Sequence, residues 1–272
     1  MKSPQRYLAG ATLARSSLLL LAYSVTSNAQ SQGDEESNWD VSLGAGAIYH
    51  PDYPGSDDYE VDAIPLVGIN YRDFIQLRGP ALSVDFLGLS RSKLAENLSF
   101  GALVKYDNGR EADDNPVLRN LGDIDSGADG GLFAQYELGP VSFELTALQD
   151  LGTRHEGSLA EFQIEYGRML TARLRAELGV AVSWADDDYT QSYFGISTTQ
   201  AQASGLREFT AEGGLKDAGV AATVHYLFDE HWRITGRLAY RRLLGDAADS
   251  PLVEDEGAQN QGSAAVIVSY GF

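Results

Sequence analysis

The sequence contains no cysteine and few basic residues. Without cysteine the chain can form neither a disulfide nor a thiolate metal site, and it has no residue for the lipid anchor of a lipoprotein. Only 20 Lys and Arg stand against 39 Asp and Glu, which gives a formal net charge of −19. Such a chain would repel phosphates, so we expect no nucleic-acid partner.

A long apolar run is also missing. The strongest run, at 18–25, is far shorter than the roughly 20 residues that a transmembrane helix needs. It follows Lys2, Arg6 and Arg15. A charged segment before a short apolar segment is typical of a secretory signal peptide, which we predict over residues 1–29.

The predicted cleavage site follows Ala29, because Ser27 and Ala29 fill the two positions that require small residues. Removing residues 1–29 takes away three positive charges and no negative one, which moves the net charge from −19 to −22. The polar, Ser- and Gln-rich segment 30–38 is then expected to be a disordered periplasmic leader. We predict that residues 39–272 form one folded domain.

Apolar and polar residues alternate with a period of two in most of this domain, which places one set on each face of a strand. The alternating segments are about 10 residues long, as a tilted strand needs to cross a bilayer. Segments with this pattern begin at Trp39, Leu98, Gly130, Leu174, Val220, Trp232 and Ala264. Aromatic residues cluster at their ends, where membrane interfaces lie. Without a membrane helix, these strands predict a transmembrane antiparallel β-barrel; a soluble sandwich is the alternative.

The last strand carries its own signal. Val266, Val268, Tyr270 and Phe272 share one face of the segment, and the chain ends on the aromatic residue. This arrangement resembles the assembly signal of bacterial outer-membrane barrels. We therefore predict these four residues as the assembly signal.

The number of strands follows from the requirement that both chain ends lie in the periplasm, since that requirement makes it even. Treating 74–86 as one strand gives eleven, whereas dividing it at Gly79-Pro80 gives about 12. Proline lacks the donor that a strand interior needs, which supports the division. Because both halves are short, ten strands are the alternative. The long, acidic connections at 108–127, 185–218 and 243–262 are then extracellular, and the short turns are periplasmic.

Candidate catalytic and metal-binding residues are few. Thr223 and His225 share a polar face and could act as nucleophile and base, but no orienting group or oxyanion donor completes the set. Acidic clusters such as Asp186-Asp187-Asp188 would suit Ca²⁺ or Mg²⁺, yet no segment has the spacing of a calcium loop. We predict no catalytic residue, no metal site and no cofactor.

Four segments resemble the MipA/OmpV family of Gram-negative outer-membrane proteins. They are HPDYPGSDDY at 50–59, YFGIS at 193–197, SGLREFTAEGGLKDAGV at 204–220 and YRRLLGDAADSPLV at 240–253. The resemblance implies an outer-membrane barrel without a cofactor. It also implies the role of one member, a scaffold between a lytic murein transglycosylase and a murein synthase, and it supplies no catalytic residue.

The predicted function is that of a non-enzymatic scaffold in contact with outer-membrane lipids and lipopolysaccharide. By the resemblance, its protein partners are a periplasmic murein synthase and a lytic transglycosylase. Arg91, Lys93, Arg168 and Arg173 lie on predicted periplasmic turns and could contact such partners by complementary charge. Two alternatives stay open: a surface adhesin or antigen, and a porin-like channel for small solutes. Arg175, Arg233, Arg237 and Arg241 face inward opposite abundant carboxylates, which predicts an ion-paired lumen that is partly or wholly plugged. A pore with an acidic interior stays open as the channel alternative, since lumen charges also tune selectivity.

Overall fold

The computed structural model describes residues 38–72, 74–90 and 97–272. They form a closed antiparallel barrel of 12 strands, in which each strand pairs with the next in sequence and the last pairs with the first. The prediction of 12 strands is confirmed, and the alternative of ten is wrong. The predicted signal peptide and its cleavage site, nearly all of the leader, and Arg91 and Lys93 lie outside the described residues.

The twelve strands account for most of the described chain. They are β1 (Trp39–Pro51), β2 (Tyr59–Tyr71), β3 (Ile75–Arg78), β4 (Ala81–Asp85), β5 (Leu98–Asp107), β6 (Gly127–Leu138), β7 (Val141–Asp150), β8 (Ser158–Met169), β9 (Leu174–Ala185), β10 (Gly214–Leu227), β11 (Trp232–Leu243) and β12 (Asn260–Gly271). The α-helices are α1 (Phe86–Ser90), α2 (Asp187–Phe194), α3 (Thr198–Ser204), α4 (Gly245–Asp249) and α5 (Pro251–Glu254), and a 3-10 helix spans Pro116–Asn120. None of these helices is long and apolar enough to cross a membrane.

Exposure along the strands is inverted relative to a soluble protein. In β9 the apolar Leu178 and Val180 are 63% and 51% exposed, whereas the polar Glu177 and Ser183 are buried. Lipid-facing apolar residues alternating with polar lumen residues produce this pattern in membrane barrels. The alternation in the sequence thus assigned the two faces of this strand correctly.

The division at Gly79-Pro80 is also confirmed. Gly79 takes a positive φ of 55°, which glycine adopts without strain, and the turn joins β3 to β4. The β2–β3 ladder extends only over residues 68–71 of β2, because β3 is so short.

The two ends of the barrel differ in their connections. At the end that holds the N-terminus of β1 and the C-terminus of β12, the turns at 139–140, 170–173 and 228–231 are short, and α1 lies in the one longer connection. At the other end lie the connections 52–58, 108–126, 151–157, 186–213 and 244–259. Outer-membrane barrels direct short turns to the periplasm, which assigns the long connections to the outside.

The long loops lie where the sequence predicts them, but two strands begin earlier than predicted. β12 begins at Asn260, inside the predicted loop 243–262. β10 begins at Gly214, inside the predicted loop 185–218. A β-bulge between Leu215 and Asp217 shifts the register against β9. The bulge interrupts the period of two, so the alternation became visible only beyond it.

Two isoleucines that break the alternation meet inside the barrel. Ile48 of β1 and Ile267 of β12 are 1% and 5% exposed, and they form an inward apolar cluster with Ile64. Gly46 lies between Ile64 and Ile267 in register. A Cβ at Gly46 would come within 2.2 Å of the Val266 carbonyl oxygen, so only glycine permits this close packing.

Candidate functional site

The outer loops fold into a cap, which we define as residues 52–58, 108–126, 186–213 and 244–259. Tyr53, Leu118, Ile196 and Leu252 come from these four different loops, yet they form one buried apolar cluster. The four hairpins are spread around the barrel, so their loops can meet only across its outer mouth.

Helix α2 supplies the second apolar cluster of the cap. Tyr189, Tyr193 and Phe194 pack there against α4, and Phe194 is 1% exposed. The helix begins after Asp186, whose carboxylate accepts hydrogen bonds from the N–H groups of Tyr189 at 3.0 Å and Ser158 at 2.8 Å. Burial alone would raise the pKa of Asp186, but these backbone hydrogen bonds outweigh it and hold the pKa below its usual value. Asp186, the N-cap residue of α2, therefore connects the start of this helix to β8.

Hydrogen bonds between loops fix the cap further. The Ser250 hydroxyl donates to the Phe194 carbonyl oxygen at 2.6 Å, and Arg110 Nη1 donates to the Tyr193 carbonyl oxygen at 2.9 Å. Asn115 Nδ2 donates to Asp52 Oδ2 at 2.8 Å. These bonds satisfy buried polar groups and hold the loops in one arrangement.

A buried arginine lies where the cap meets the barrel wall. Arg154 contacts three carboxylates: Asp150 at 2.9 Å, Asp107 at 3.5 Å and Asp129 in direct ion-pair contact. Burial alone would lower the pKa of Arg154, but the hydrogen bond to Asp150 and the ion pairs raise it. Since these carboxylates come from the three neighbouring strands β5, β6 and β7, Arg154 joins the outer ends of these strands.

Ion pairs line the wall of the lumen below, as the sequence predicts for its inward-facing arginines. Arg241 contacts Asp217 at 2.6 Å and Glu161 at 2.7 Å, and Arg175 contacts Glu177 at 2.6 Å. Arg237 donates to the Thr223 hydroxyl at 3.0 Å, and Arg233, the fourth predicted arginine, lies at the periplasmic start of β11. The Arg241–Glu161 pair joins β11 to β8, whereas the other contacts lie between the neighbouring strands β10 and β11 or within β9.

His225 does not form the pair that the sequence suggests. Its Nδ1 lies 2.9 Å from the Thr235 hydroxyl and its Nε2 lies 3.1 Å from Glu177 Oε2, so its partners are on β11 and β9 rather than at Thr223. Side chains directly across a ladder are closer than those two residues apart on one strand. Thr235 is only 3% exposed, so its hydroxyl is not accessible to a substrate. The three residues tie neighbouring strands together.

Two groups of residues have the composition of a metal site, although the sequence predicts none. One is His50, Glu60 and Asp62, and the other is Asp129, Asp150 and His155. Arg154 already pairs with both carboxylates of the second group. The first group lies at the outer end of the β1–β2 hairpin.

The periplasmic rim, defined as the turns 139–140, 170–173 and 228–231 with the strand ends beside them, is open by comparison. Arg168 and Arg173, two of the predicted partner contacts, are exposed there. Arg173 Nη1 donates to the Phe228 carbonyl oxygen at 3.1 Å, which links two adjacent turns. Hydrogen bonds from the N–H groups of Trp232 and His231 lower the pKa of Asp229.

The predicted assembly residues lie on the outward face of β12 and at its end. Val266 and Val268 are 53% and 41% exposed, and the ring of Tyr270 lies 4.9 Å from that of Phe272. The Phe272 N–H donates to the Val41 carbonyl oxygen at 2.9 Å, so the last residue is joined to the first strand.

Sequence reasoning treated the cap as polar loops and missed its folded interior. Signals for it are present: Ser197 and Gln200 form a capping box at the start of α3. Asn115-Pro116 and Ser250-Pro251 each place a capping side chain before a proline at a helix start.

Comparison with known proteins agrees with this architecture. The family model described as MltA-interacting protein MipA matches residues 43–272. The MltA-interacting protein of Escherichia coli strain K12 is 25% identical over 225 residues, which cover 80% of this chain and 85% of that protein. Outer membrane protein OmpV of Vibrio cholerae serotype O1 is 26% identical over 234 residues, covering 84% and 78% respectively.

Among solved structures, an outer membrane channel from Pseudomonas putida F1 aligns with 89% of this chain and 100% of that chain. The TM-score is 0.45 and the sequence identity is 12%, a level that carries no functional conclusion. The outer-membrane relatives and the barrel locate the chain in the outer membrane of a Gram-negative bacterium.

Proposed function

Because this chain belongs to the MltA-interacting protein MipA family, we propose that it is a non-enzymatic interaction barrel. Its periplasmic rim would hold a murein lytic transglycosylase and, as the family resemblance implies, a murein synthase. One relative, from E. coli, is named for its interaction with MltA. We propose a partner of that kind for this chain.

The observation that carries the proposal is the contrast between the folded cap and the open rim. Four loops bury two apolar clusters at the outer mouth. Inside the lumen beneath, Arg241 pairs with Asp217 of the neighbouring strand β10 and with Glu161 of β8. A mouth packed in this way favours a barrel that holds partners over one that passes solutes. The rim facing the periplasm has the accessible charges that a soluble partner could contact.

Arg168 and Arg173 are the described residues that we assign to partner contact. Both are exposed, so a partner can reach them without reorganisation of the barrel. Rim charges of this kind act mainly on association rate and specificity, and salt screens them. The interaction should therefore weaken as ionic strength rises.

Capture of the partner tests the proposal. Purified barrel in detergent is immobilised and incubated with the murein lytic transglycosylase of the same organism, and separately with a murein synthase. We expect saturable binding of the transglycosylase that falls by about tenfold when Arg168 and Arg173 are both replaced by Glu. The matched control is Arg119→Glu, an exposed arginine of the outer cap, which should leave capture unchanged.

Folding of every variant is checked by heat-modifiable gel mobility. Equal capture by the Arg168→Glu/Arg173→Glu variant and the wild type would remove these arginines from the proposed contact. If neither murein enzyme is captured and solutes pass through the wild-type barrel, the scaffold function is wrong and the channel function is favoured.

A further inference from the structure

The register of the first hairpin brings a histidine and two carboxylates together. His50 on β1 lies directly opposite Glu60 on β2, and Asp62, two residues further along β2, pairs with Ile48. Alternation places all three side chains on the inward face, where opposite and diagonal neighbours are within reach of each other. One ligand atom from each residue lies within 4.8 Å of the other two.

Hydrogen bonding orients the imidazole of His50 toward the carboxylates. Its Nδ1 lies 2.6 Å from the Pro51 carbonyl oxygen, which can only accept, so the Nδ1 atom carries a hydrogen. Its Nε2 faces Asp62 Oδ2 at 3.2 Å. In a neutral imidazole this Nε2 presents a lone pair to a carboxylate, so a proton or a metal ion must lie between them. A backbone carbonyl on the other ring nitrogen is the usual support of a metal-binding histidine.

The carboxylate of Glu60 indicates which of the two, a proton or a metal ion, lies between His50 Nε2 and Asp62. Its Oε1 atom is buried and accepts no hydrogen bond within the described structure. A proton on His50 Nε2 would serve Asp62 and leave this oxygen unsatisfied. A metal ion bound through this oxygen would satisfy it and offset the desolvation cost of a buried carboxylate oxygen.

The ligand set and spacing fit a zinc-like ion. Two ligands at about 2.1 Å from a tetrahedral metal are about 3.4 Å apart, close to the 3.2 Å between His50 Nε2 and Asp62 Oδ2. One imidazole with two carboxylates leaves a position for water. Ca²⁺ and Mg²⁺ prefer oxygen ligands alone, so the histidine disfavours them.

We propose that His50, Glu60 and Asp62 bind one divalent transition-metal ion, with Zn²⁺ as the best fit, at the outer end of the lumen. The loop that joins the two ligand-bearing strands is tied to β12, because Gln261 accepts from the Gly55 N–H at 3.1 Å and donates to the Ser56 carbonyl oxygen at 3.0 Å. Bound metal would fasten the β1–β2 hairpin beneath the cap. This goes beyond the proposed scaffold function and does not depend on it.

The second group, Asp129, Asp150 and His155, provides an internal comparison. There the guanidinium of Arg154 supplies the positive charge between the two carboxylates. The same residue types are thus present at both places, but at the second an arginine lies between the two carboxylates.

Zinc titration of the full-length mature protein, folded in detergent and stripped with a chelator, tests the proposal. Calorimetry should show one Zn²⁺ per chain at neutral pH, with no competition by equimolar Ca²⁺ or Mg²⁺. His50→Gln should weaken Zn²⁺ binding at least 100-fold, and Glu60→Gln should weaken it at least tenfold. His155→Gln is the matched control and should bind Zn²⁺ like the wild type.

X-ray absorption of the zinc-loaded wild type gives a readout that needs no variant. We expect one imidazole nitrogen and carboxylate oxygens at about 2.0–2.2 Å. The proposal is overturned if the wild type shows no saturable zinc binding, or if folded His50→Gln binds as well as the wild type. If His50→Gln fails to fold, loss of binding in His155→Gln, or a zinc spectrum without histidine, overturns it.

Discussion

The outer end and the periplasmic rim of this barrel are stabilised in different ways, although the same twelve strands form both. At the outer end, residues such as Phe194 and Leu118 are almost completely buried, and the hydrogen bond from Arg110 to the Tyr193 carbonyl oxygen joins loops from distant hairpins. At the periplasmic rim, Leu170 and Leu138 are more than half exposed, and the turns are only a few residues long. Stability of the outer end therefore depends on tertiary packing, whereas the rim depends on the strands alone.

This difference indicates where amino-acid substitutions are tolerated. A packed cap has many buried contacts to lose, so single substitutions there should be costly. Exposed turn residues have few contacts, which leaves the rim free to carry binding residues. The one exception at the rim is the closing contact between the first and last strands.

The largest effect is expected at that exception. Phe272→Asp would place a charge at the end of the proposed assembly signal and beside Tyr270, whose ring lies 4.9 Å away. We expect most of the variant to fail to reach the folded state in the outer membrane, as measured by membrane fractionation and heat-modifiable mobility. The control is Leu138→Asp, the same change at another exposed apolar residue of the rim. Equal loss in both variants would mean that Phe272 has no special part in assembly.

The next largest effect is expected in the cap. Phe194→Ala removes a 1%-exposed ring from the α2 cluster, and such truncations cost about 3–5 kcal/mol. The cap should become sensitive to added protease at lower denaturant while the barrel stays folded. Leu170→Ala, at an exposed residue of the rim, should change stability by less than about 0.5 kcal/mol. Similar losses in the two variants would contradict the asymmetry.

The faces of β9 give a smaller contrast. Val180→Arg puts a charge on the lipid face near mid-strand and should cost about 2–4 kcal/mol. Gly179→Arg should cost less, because a Cβ there meets nothing closer than 3.6 Å and the side chain would point toward Glu165. Denaturant unfolding in lipid vesicles measures both. The reverse order would show that the face assignment is wrong.

The smallest effect is expected at Asp186, the N-cap residue of helix α2. Asp186→Ala removes the carboxylate that accepts from the Tyr189 N–H and should cost about 1 kcal/mol at neutral pH. The folded-state pKa of Asp186 is lowered, so its contribution is present above the unfolded value of about 3.9 and is lost as pH falls through the folded pKa. The difference from the wild type should therefore shrink below about pH 4. Asp229→Ala, in an exposed rim turn, should have the smaller effect; a larger one would contradict this ranking.

Much of the barrel could be predicted because its pattern is local. The period of two depends only on neighbouring residues, so it gave the strand faces, and Gly79-Pro80 gave the division between β3 and β4. β10 could not be bounded, since the bulge at Leu215 and Asp217 depends on its pairing with β9.

The site was less predictable because its contacts cross between elements. His225 meets Thr235 and Glu177 through the register of three strands, and that register is not visible in one segment. The cap clusters likewise join residues such as Tyr53 and Leu252. The pair His50 and Asp62 was missed for the same reason, although His50 opens the HPDYPGSDDY segment and Asp62 follows shortly after its end.

Single-channel recording of the purified wild-type protein in planar lipid bilayers tests the central claim most directly. The claim is that the cap and the ion-paired lumen close the barrel, so that its function lies at the periplasmic rim. We predict no steady conductance from the wild type, and openings only when the cap is loosened by Phe194→Ala. A large, stable conductance from the folded wild-type protein would contradict the claim.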